Sequence, residues 1–215
     1  GAPMLPRELP YAGEVAALCA LEYAREGRHE RAREIVDLAL RRFLPTPNLH
    51  YIAASLDLTA GRPDDAILQF KRCLAYRDQV LVVPIQDGIT SHVSLTGIAQ
   101  AMLQKHDPVR AERLLLQSIA MQPDYEVSHL VLSRLYLARQ QPQRALQVLT
   151  DYLSGHPEAA GICQQVTMIL MTPPPQREGS GAGGPATEED IWIVGLAAHP
   201  SPVPGIAIHR VSVIE

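Results

Sequence analysis

The stretch that decides the fold runs from Glu126 to Pro157, EVSHLVLSRLYLARQQPQRALQVLTDYLSGHP. Its apolar residues fall into two blocks with the three- and four-residue spacing of short amphipathic helices. Pro142 opens the second block, and proline is favoured at the first position of a helix because the N–H that it lacks would have no partner there. Two helices this short cannot bury their apolar faces alone, so the pair predicts similar neighbours along the chain.

The chain contains three further copies of this helix pair. A small residue in the middle of each second helix recurs at Ala32, Ala66, Ala111 and Ala145. A small residue of each first helix recurs at Ala20, Ala54, Ala99 and Ser133. Neighbouring copies are 34 residues apart, except that Ala66 and Ala111 are separated by 45, which is 34 plus an insertion of 11. A turn joins the two helices of each pair and holds Gly27–His29, Gly61–Pro63, His106–Pro108 and Gln140–Pro142.

This spacing resembles the tetratricopeptide repeat (TPR) family, whose 34-residue unit is a helix-turn-helix with small residues where the helices cross. The resemblance implies an all-α, right-handed α-solenoid. We expect repeats at 13–46, 47–80, 92–125 and 126–159, followed by a capping helix at 158–171. The inserted segment, Leu81 to Ser91, is read as a loop, with a longer second helix before it. Two interpretations of the loop stay open, a tolerated surface insertion and a loop that reaches over the concave face.

The resemblance also implies a concave groove lined by the second, fifth, ninth and twelfth positions of each first helix. We predict that a peptide binds there through Asn48, Tyr51, Ser55, Leu58, Thr96, Gln100, Leu103, Leu130 and Arg134. Tyr51 and Arg134 are the expected anchors by residue type. The carboxylate clamp of the family needs several Lys, Asn and Arg residues, and only Asn48 and Arg134 are present at these positions. An apolar partner segment therefore fits the groove better than a charged one.

The two ends of the chain differ from the repeats. Residues 1–12 are expected to be a lead-in that begins with a cloning remnant. Residues 172–190 are Pro- and Gly-rich and predict a flexible linker. Residues 191–215 contain two β-prone apolar runs, IWIVGLAA and GIAIHRVSVIE, and predict a non-helical, β-rich tail. Three destinations for this tail are open: the groove of the same solenoid, a neighbouring chain, or a missing domain. The preferred interpretation is a tethered ligand peptide, natural or from an engineered fusion.

Composition and motifs argue against several classes of function. The net charge of −4 gives no basic surface for nucleic acid, and no apolar run is long enough to predict insertion into a membrane. The three cysteines form no CxxC pair, and Cys19 and Cys73 are expected to face inward as reduced thiols of a cytoplasmic protein. No metal, phosphate or nucleophile motif occurs, so we expect neither an enzyme nor a cofactor.

The prediction is thus a non-catalytic, cytoplasmic scaffold that binds an apolar protein or peptide segment in its groove, including its own tail at 191–215. Homo-oligomers are a further expectation. Two alternatives remain. Pro123-Asp124-Tyr125 after the interrupted repeats resembles repeat regions of bacterial glycosyltransferases, although no DxD motif occurs. This resemblance implies a module that recruits an acceptor or oligomerises the enzyme. A purely structural, self-assembling repeat protein is the other alternative.

Overall fold

The computed structural model describes residues 11–79 and 85–171, and this part of the chain contains helices and turns without strands. All of its helices lie in one compact unit. Their bounds, in chain order, are α1 Ala12–Arg25, α2 His29–Arg42, α3 Pro47–Thr59, α4 Pro63–Leu74, α5 His92–Gln104, α6 Pro108–Met121, α7 Glu126–Ala138, α8 Pro142–Gly155 and α9 Ala160–Met171. The predicted lead-in over residues 1–10, the linker at 172–190 and the β-rich tail at 191–215 lie outside the described residues.

The helices pack as a stack of antiparallel pairs. Each first helix packs on the helix that follows it, giving the pairs α1–α2, α3–α4, α5–α6 and α7–α8, and α9 packs on α8. The pairs join because each second helix also packs on the next first helix. The first helices contact one another as well, α1 with α3, α3 with α5 and α5 with α7. This confirms the prediction of an all-α stack of helix pairs for the described residues, while its right-handed sense stays a prediction.

The small residues of the repeat are the crossing points of the helices. The four second-helix alanines and the four small first-helix residues all have 0% exposure: Ala32, Ala66, Ala111, Ala145, Ala20, Ala54, Ala99 and Ser133. A larger side chain at any of them would force the two axes apart, because the distance between packed helix axes, about 8–10 Å, depends on the size of the side chains at the contact. The sequence pattern therefore identified the contact points of each pair.

The turns inside the four pairs share one backbone geometry. Gly27, Gly61, His106 and Gln140 occupy equivalent positions, and all have positive φ, between 55° and 76°. The next residue in each turn donates its N–H to a carbonyl five residues back, as Arg62 does to Asp57 at 2.8 Å and Gln141 to Tyr136 at 2.8 Å. This bond closes a first helix at a left-handed residue. Proline opens α4, α6 and α8 directly after these turns, and it also opens α3 after the connection between the first two pairs.

Two expectations about details are wrong. The second helix before the insertion is not longer than the others, since α4 has 12 residues and ends at Leu74. Cys19 is exposed rather than inward-facing, whereas Cys73 is buried and its Sγ lies 3.4 Å from the Pro47 carbonyl. Burial raises the pKa of the Cys73 thiol to about 12, which keeps it protonated and unreactive.

Candidate functional site

Four of the predicted groove residues lie on α3. Asn48 donates from Nδ2 to Glu14 Oε2 of α1 at 2.6 Å, and its Oδ1 accepts the backbone N–H of Gln86 at 3.2 Å. This side chain therefore joins the first repeat to the inserted segment. Ser55 donates to the carbonyl of Tyr51 at 2.9 Å within the helix, and both side chains are half-buried.

Tyr51 and Leu58 take part in the core between repeats two and three. Tyr51 meets the Phe70 ring edge-on with 6.0 Å between ring centroids, and burial raises the pKa of its hydroxyl. Leu58 packs against the cluster that contains Ala54, Ala66 and Phe70. Both side chains keep part of their surface exposed, so each has a core face and a solvent face.

Two predicted residues on α5 lie in the interior. Thr96 is 2% exposed and Leu103 is 8% exposed. The Thr96 hydroxyl lies 2.9 Å from Ser118 Oγ of α6 and 2.8 Å from Ser128 Oγ of α7, and it donates to or accepts from both. These hydroxyls satisfy one another where three helices meet, which is what buried polar groups require. Neither Thr96 nor Leu103 offers surface to a ligand in this structure.

The remaining predicted residues, Gln100, Leu130 and Arg134, are half-buried on α5 and α7. Leu130 packs against Leu149, Tyr152 and Ile162. Arg134 follows one turn later and forms no hydrogen bond or ion pair with any residue that the structure describes. It is the one cation among the predicted groove residues, and none of them is an acid. The first helices α3, α5 and α7 contact one another and form a row that carries the predicted groove residues. The α7 end of this row therefore carries a positive charge that pairs with no described acid.

The inserted segment supplies residues that sequence reasoning did not assign to this site. Ile89 is 1% exposed and packs with Cys73 and Val93, with Tyr51 and Tyr125 at the edge of the cluster. Gly88 has a φ of 77°, and a Cβ on it would lie 2.1 Å from the His92 ring, so only glycine fits this turn. The described part of the loop, residues 85–91, thus packs against the α3 end of the row. The Asp87-Gly88 turn was readable from the sequence, but its packing partners were not.

Two charged clusters join neighbouring repeats beside this row. Asp57 of α3, whose side chain is 0% exposed, accepts from Arg33 of α2 and, at 2.7 Å, from Arg62 Nη2. Glu112 of α6 accepts from Tyr136 at 2.9 Å and from Arg139 at 2.6 Å, and Arg144 lies 3.0 Å away. Burial raises the pKa of Glu112, but the Tyr136 and Arg139 bonds and the two arginine charges outweigh burial, so the net pKa lies below its usual value.

Two buried histidines, His50 and His129, and the half-buried His92 make the fold sensitive to acid. Burial lowers the pKa of His50, His92 and His129 below the ordinary value of 6.5. Below that value the unfolded chain takes up protons that the folded chain does not, so stability is full above it and falls as the pH drops. We expect a melting temperature several degrees lower at about pH 5 than at about pH 7.5.

Thermal melts of variants test this acid sensitivity. His50→Gln and His129→Gln should each reduce the dependence of the melting temperature on pH, because each removes one suppressed proton-binding site. His29→Gln is the matched control, since His29 is exposed at the start of α2. Equal pH dependence in all three variants would contradict the assignment of acid sensitivity to the buried rings.

The described residues show no arrangement for metal chemistry and no membrane span. In residues 11–79 and 85–171, no group of three or more His, Cys, Asp or Glu side chains could hold a metal ion. No helix in the same ranges combines the length and apolar character that crossing a bilayer requires.

Comparison with solved structures shows the fold. No protein-family model and no curated protein matches the sequence. A chain of the APC/C hetero-tetramer Cut9–Hcn1 aligns with a TM-score of 0.61 at 14% identity over 74% of this chain and 30% of that one. PilF of Pseudomonas aeruginosa aligns with a TM-score of 0.58 at 15% identity, over 77% of this chain and 70% of its own.

A third similar structure is YrrB, described as a TPR protein with an unusual peptide-binding site, with a TM-score of 0.54 at 12% identity. The alignment covers 73% of this chain and 75% of YrrB. The described helices therefore have a TPR-like fold. This chain spans less than a third of the Cut9–Hcn1 chain that it matches.

Proposed function

We propose that this chain is a non-catalytic scaffold that binds an apolar segment of a protein partner along the row of first helices. The proposal rests on the half-buried faces of α3, α5 and α7, which carry Ser55, Leu58, Gln100, Leu130 and Arg134. These side chains are apolar or neutral apart from one arginine. Such a surface suits a ligand that supplies apolar contacts and a single negative charge.

The observation that carries the proposal is the surroundings of Arg134. Leu130 precedes it by four residues and Leu137 follows it by three, so the three side chains share one face of α7. Both leucines are half-buried, and Arg134 pairs with no described acid. A guanidinium among apolar side chains gains more from a carboxylate ligand than one in open water, because the local dielectric constant is lower. We therefore infer that the partner segment places an acidic residue beside an apolar run.

A segment with this chemistry occurs in the chain itself. Glu188-Glu189-Asp190 directly precede the apolar run Ile191-Trp192-Ile193-Val194. The proposal therefore includes the tail, 191–215, as an occupant of the groove, supplied by the same chain or by another one. The α3 end of the row is less open, since Gln86 and Ile89 pack against Asn48 and Tyr51. We place the main contact at the α5 and α7 end.

The test is a binding measurement with a defined peptide. A fluorescently labelled peptide of residues 188–198, EEDIWIVGLAA, is titrated with the chain shortened to residues 1–175, so that no tethered copy competes. Arg134→Ala is expected to weaken binding about five- to tenfold, on the order of 1 kcal/mol, through loss of one partly buried ion pair. Fluorescence anisotropy gives both dissociation constants.

Arg113→Ala on α6 is the matched control, because Arg113 is exposed and away from the row of first helices. It should leave the dissociation constant unchanged. Equal loss of affinity in both variants would mean that general charge, and not the α7 face, attracts the peptide. Unchanged affinity in Arg134→Ala would contradict the proposal that the peptide binds at the α7 face.

A further inference from the structure

Helix α9 has the composition of a buried helix but is largely exposed. Its sequence, AGICQQVTMILM, contains no Asp, Glu, Lys or Arg. In the described part of the chain only α5 shares this property, and nine α5 residues are buried between its neighbours. In α9 only Ile162 is buried. Leu170 is 68% exposed and Met171 is 79% exposed. A helix that is uncharged on every side is normally enclosed by other elements.

The repeat register shows which side of α9 is uncovered. Helix α9 begins 34 residues after the start of α7. Its residues Cys163, Thr167 and Leu170 are therefore equivalent to His129, Ser133 and Tyr136. Those α7 residues are 8%, 0% and 3% exposed. Helix α8 covers them, with Tyr152 4.7 Å from the His129 ring and Arg144 4.0 Å from the Tyr136 ring. The α9 counterparts are all exposed.

The sequence that follows α9 does not favour a second helix that would cover this side. By the same register a second helix would begin near residue 176, where the sequence reads QREGSGAGGPATEE. Glycine costs about 1 kcal/mol and proline about 3 kcal/mol inside a helix relative to alanine. This segment has four glycines and one proline within its first ten residues, so helix formation is disfavoured. The sequence therefore predicts no second helix at this position.

We propose that this side of α9, formed by Cys163, Thr167 and Leu170, is an interface with a second copy of the chain, in which the two α9 helices pack on each other across a two-fold axis. Each α9 then occupies, against the other, the position that a second helix has in the four described pairs. The contact continues the first-helix-to-second-helix interface that the stack uses in all four pairs. It is independent of peptide binding in the groove.

The chemistry of the face favours self-association. A two-fold interface brings each patch against its own copy, so any charge would meet a like charge, and α9 carries none. Cys163 and Thr167 are small enough for the helix axes to approach closely, and Leu170 supplies apolar contact area. One pair of 12-residue helices buries less than the roughly 800 Å² per partner of a standard stable interface. The expected dimer is therefore weak and forms in a concentration-dependent manner.

Sedimentation velocity of the full chain over about 5 to 500 μM tests the proposal, since this range brackets the micromolar dissociation constants of weak interfaces. The wild-type chain should shift from monomer to dimer. Leu170→Glu should raise the dissociation constant at least tenfold, because it buries two like charges at the interface. Leu116→Glu on α6 is the matched control, since Leu116 is also an exposed leucine, at 48%, on another helix.

A cross-link supplies a second, independent measurement. Thr167 lies in the middle of the face, so its copy should lie close by across the axis. In a background of Cys19→Ser and Cys163→Ser, Thr167→Cys should form a disulfide-linked dimer under mild oxidation. Thr150→Cys, at an exposed position of α8, should not.

Two results would overturn the proposal. A wild-type chain that stays monomeric, with a melting temperature lowered by Leu170→Glu, would mean that α9 is covered by another segment of its own chain. A monomeric chain that is indifferent to Leu170→Glu would mean that the face is open to solvent or to a different partner.

Discussion

Gly97→Ala is expected to destabilise the fold by about 2 kcal/mol, although it adds a single methyl group to a helix. A Cβ on Gly97 would lie 2.3 Å from Cζ of the Phe70 ring, far inside contact distance. Phe70 is 2% exposed and packs in a cluster with Ile67 and Ile98, so its ring cannot shift without displacing buried neighbours. The gain in helix propensity from alanine, about 1 kcal/mol, is smaller than this overpacking cost.

Differential scanning calorimetry measures the effect, which should appear as a drop of about 5 °C in the melting temperature. A double-mutant cycle identifies the cause. Phe70→Leu replaces the ring with a shorter side chain, so Gly97→Ala should cost at least about 1 kcal/mol less in that background. Gly155→Ala is the control, because nothing lies within 4 Å of a Cβ at that α8 position. Additive effects of the two changes would contradict the proposed clash.

Asp57→Ala is expected to cost roughly 2 to 3 kcal/mol, because it removes the buried carboxylate that both arginines share at the junction of repeats one and two. Arg33 keeps its pair with Asp37 and Arg62 its pair with Asp65, so neither arginine loses every acidic partner. The Asp57 side chain is fully buried, while those of Arg33 and Arg62 are 28% and 46% exposed. Partial exposure lets the arginines recover some hydration, which keeps the cost below that of a fully buried pair. Asp57→Asn should be intermediate, since it keeps an acceptor oxygen and loses the charge.

Denaturant unfolding measures both Asp57 variants, and Asp64→Ala is the comparison. Asp64 also pairs with a cation, Lys105, but its side chain is 79% exposed. Exposed pairs contribute little, so Asp64→Ala should cost less than about 0.5 kcal/mol. An Asp57→Ala variant as stable as Asp64→Ala would show that the buried carboxylate does not hold the two repeats together.

The two charged clusters show where sequence reasoning reaches its limit. Arg33 and Asp57 are 24 residues apart and bond across the junction of repeats one and two. Glu112 and Tyr136 are also 24 residues apart and bond across the junction of repeats three and four. At the middle junction the equivalent residues, Ile67 and Met102, pack in an apolar cluster. The register makes these positions comparable, but it does not show that they touch.

The predicted groove residues also differ from one helix to the next in how buried they are. The positions were assigned by family register, which treats every first helix alike. Thr96 and Leu103 prove to be interior, because α5 lies between α4, α6 and neighbouring first helices. Asn48 bonds to a loop backbone whose path the repeat pattern does not include. The half-buried Gln100, Leu130 and Arg134 stay predicted ligand contacts.

By itself the sequence determined the repeat: four helix pairs, their turns and the small residues at their crossings. It could do so because these features depend on local propensity and on short spacings that recur in every copy. Only the tertiary structure decided which side chains meet between copies, such as Phe70 with Gly97 and Asp57 with two arginines. It also decided how much of α9 is exposed to solvent. Those contacts depend on side-chain volume and charge across neighbouring repeats, where one copy differs from the next and no period predicts the partner.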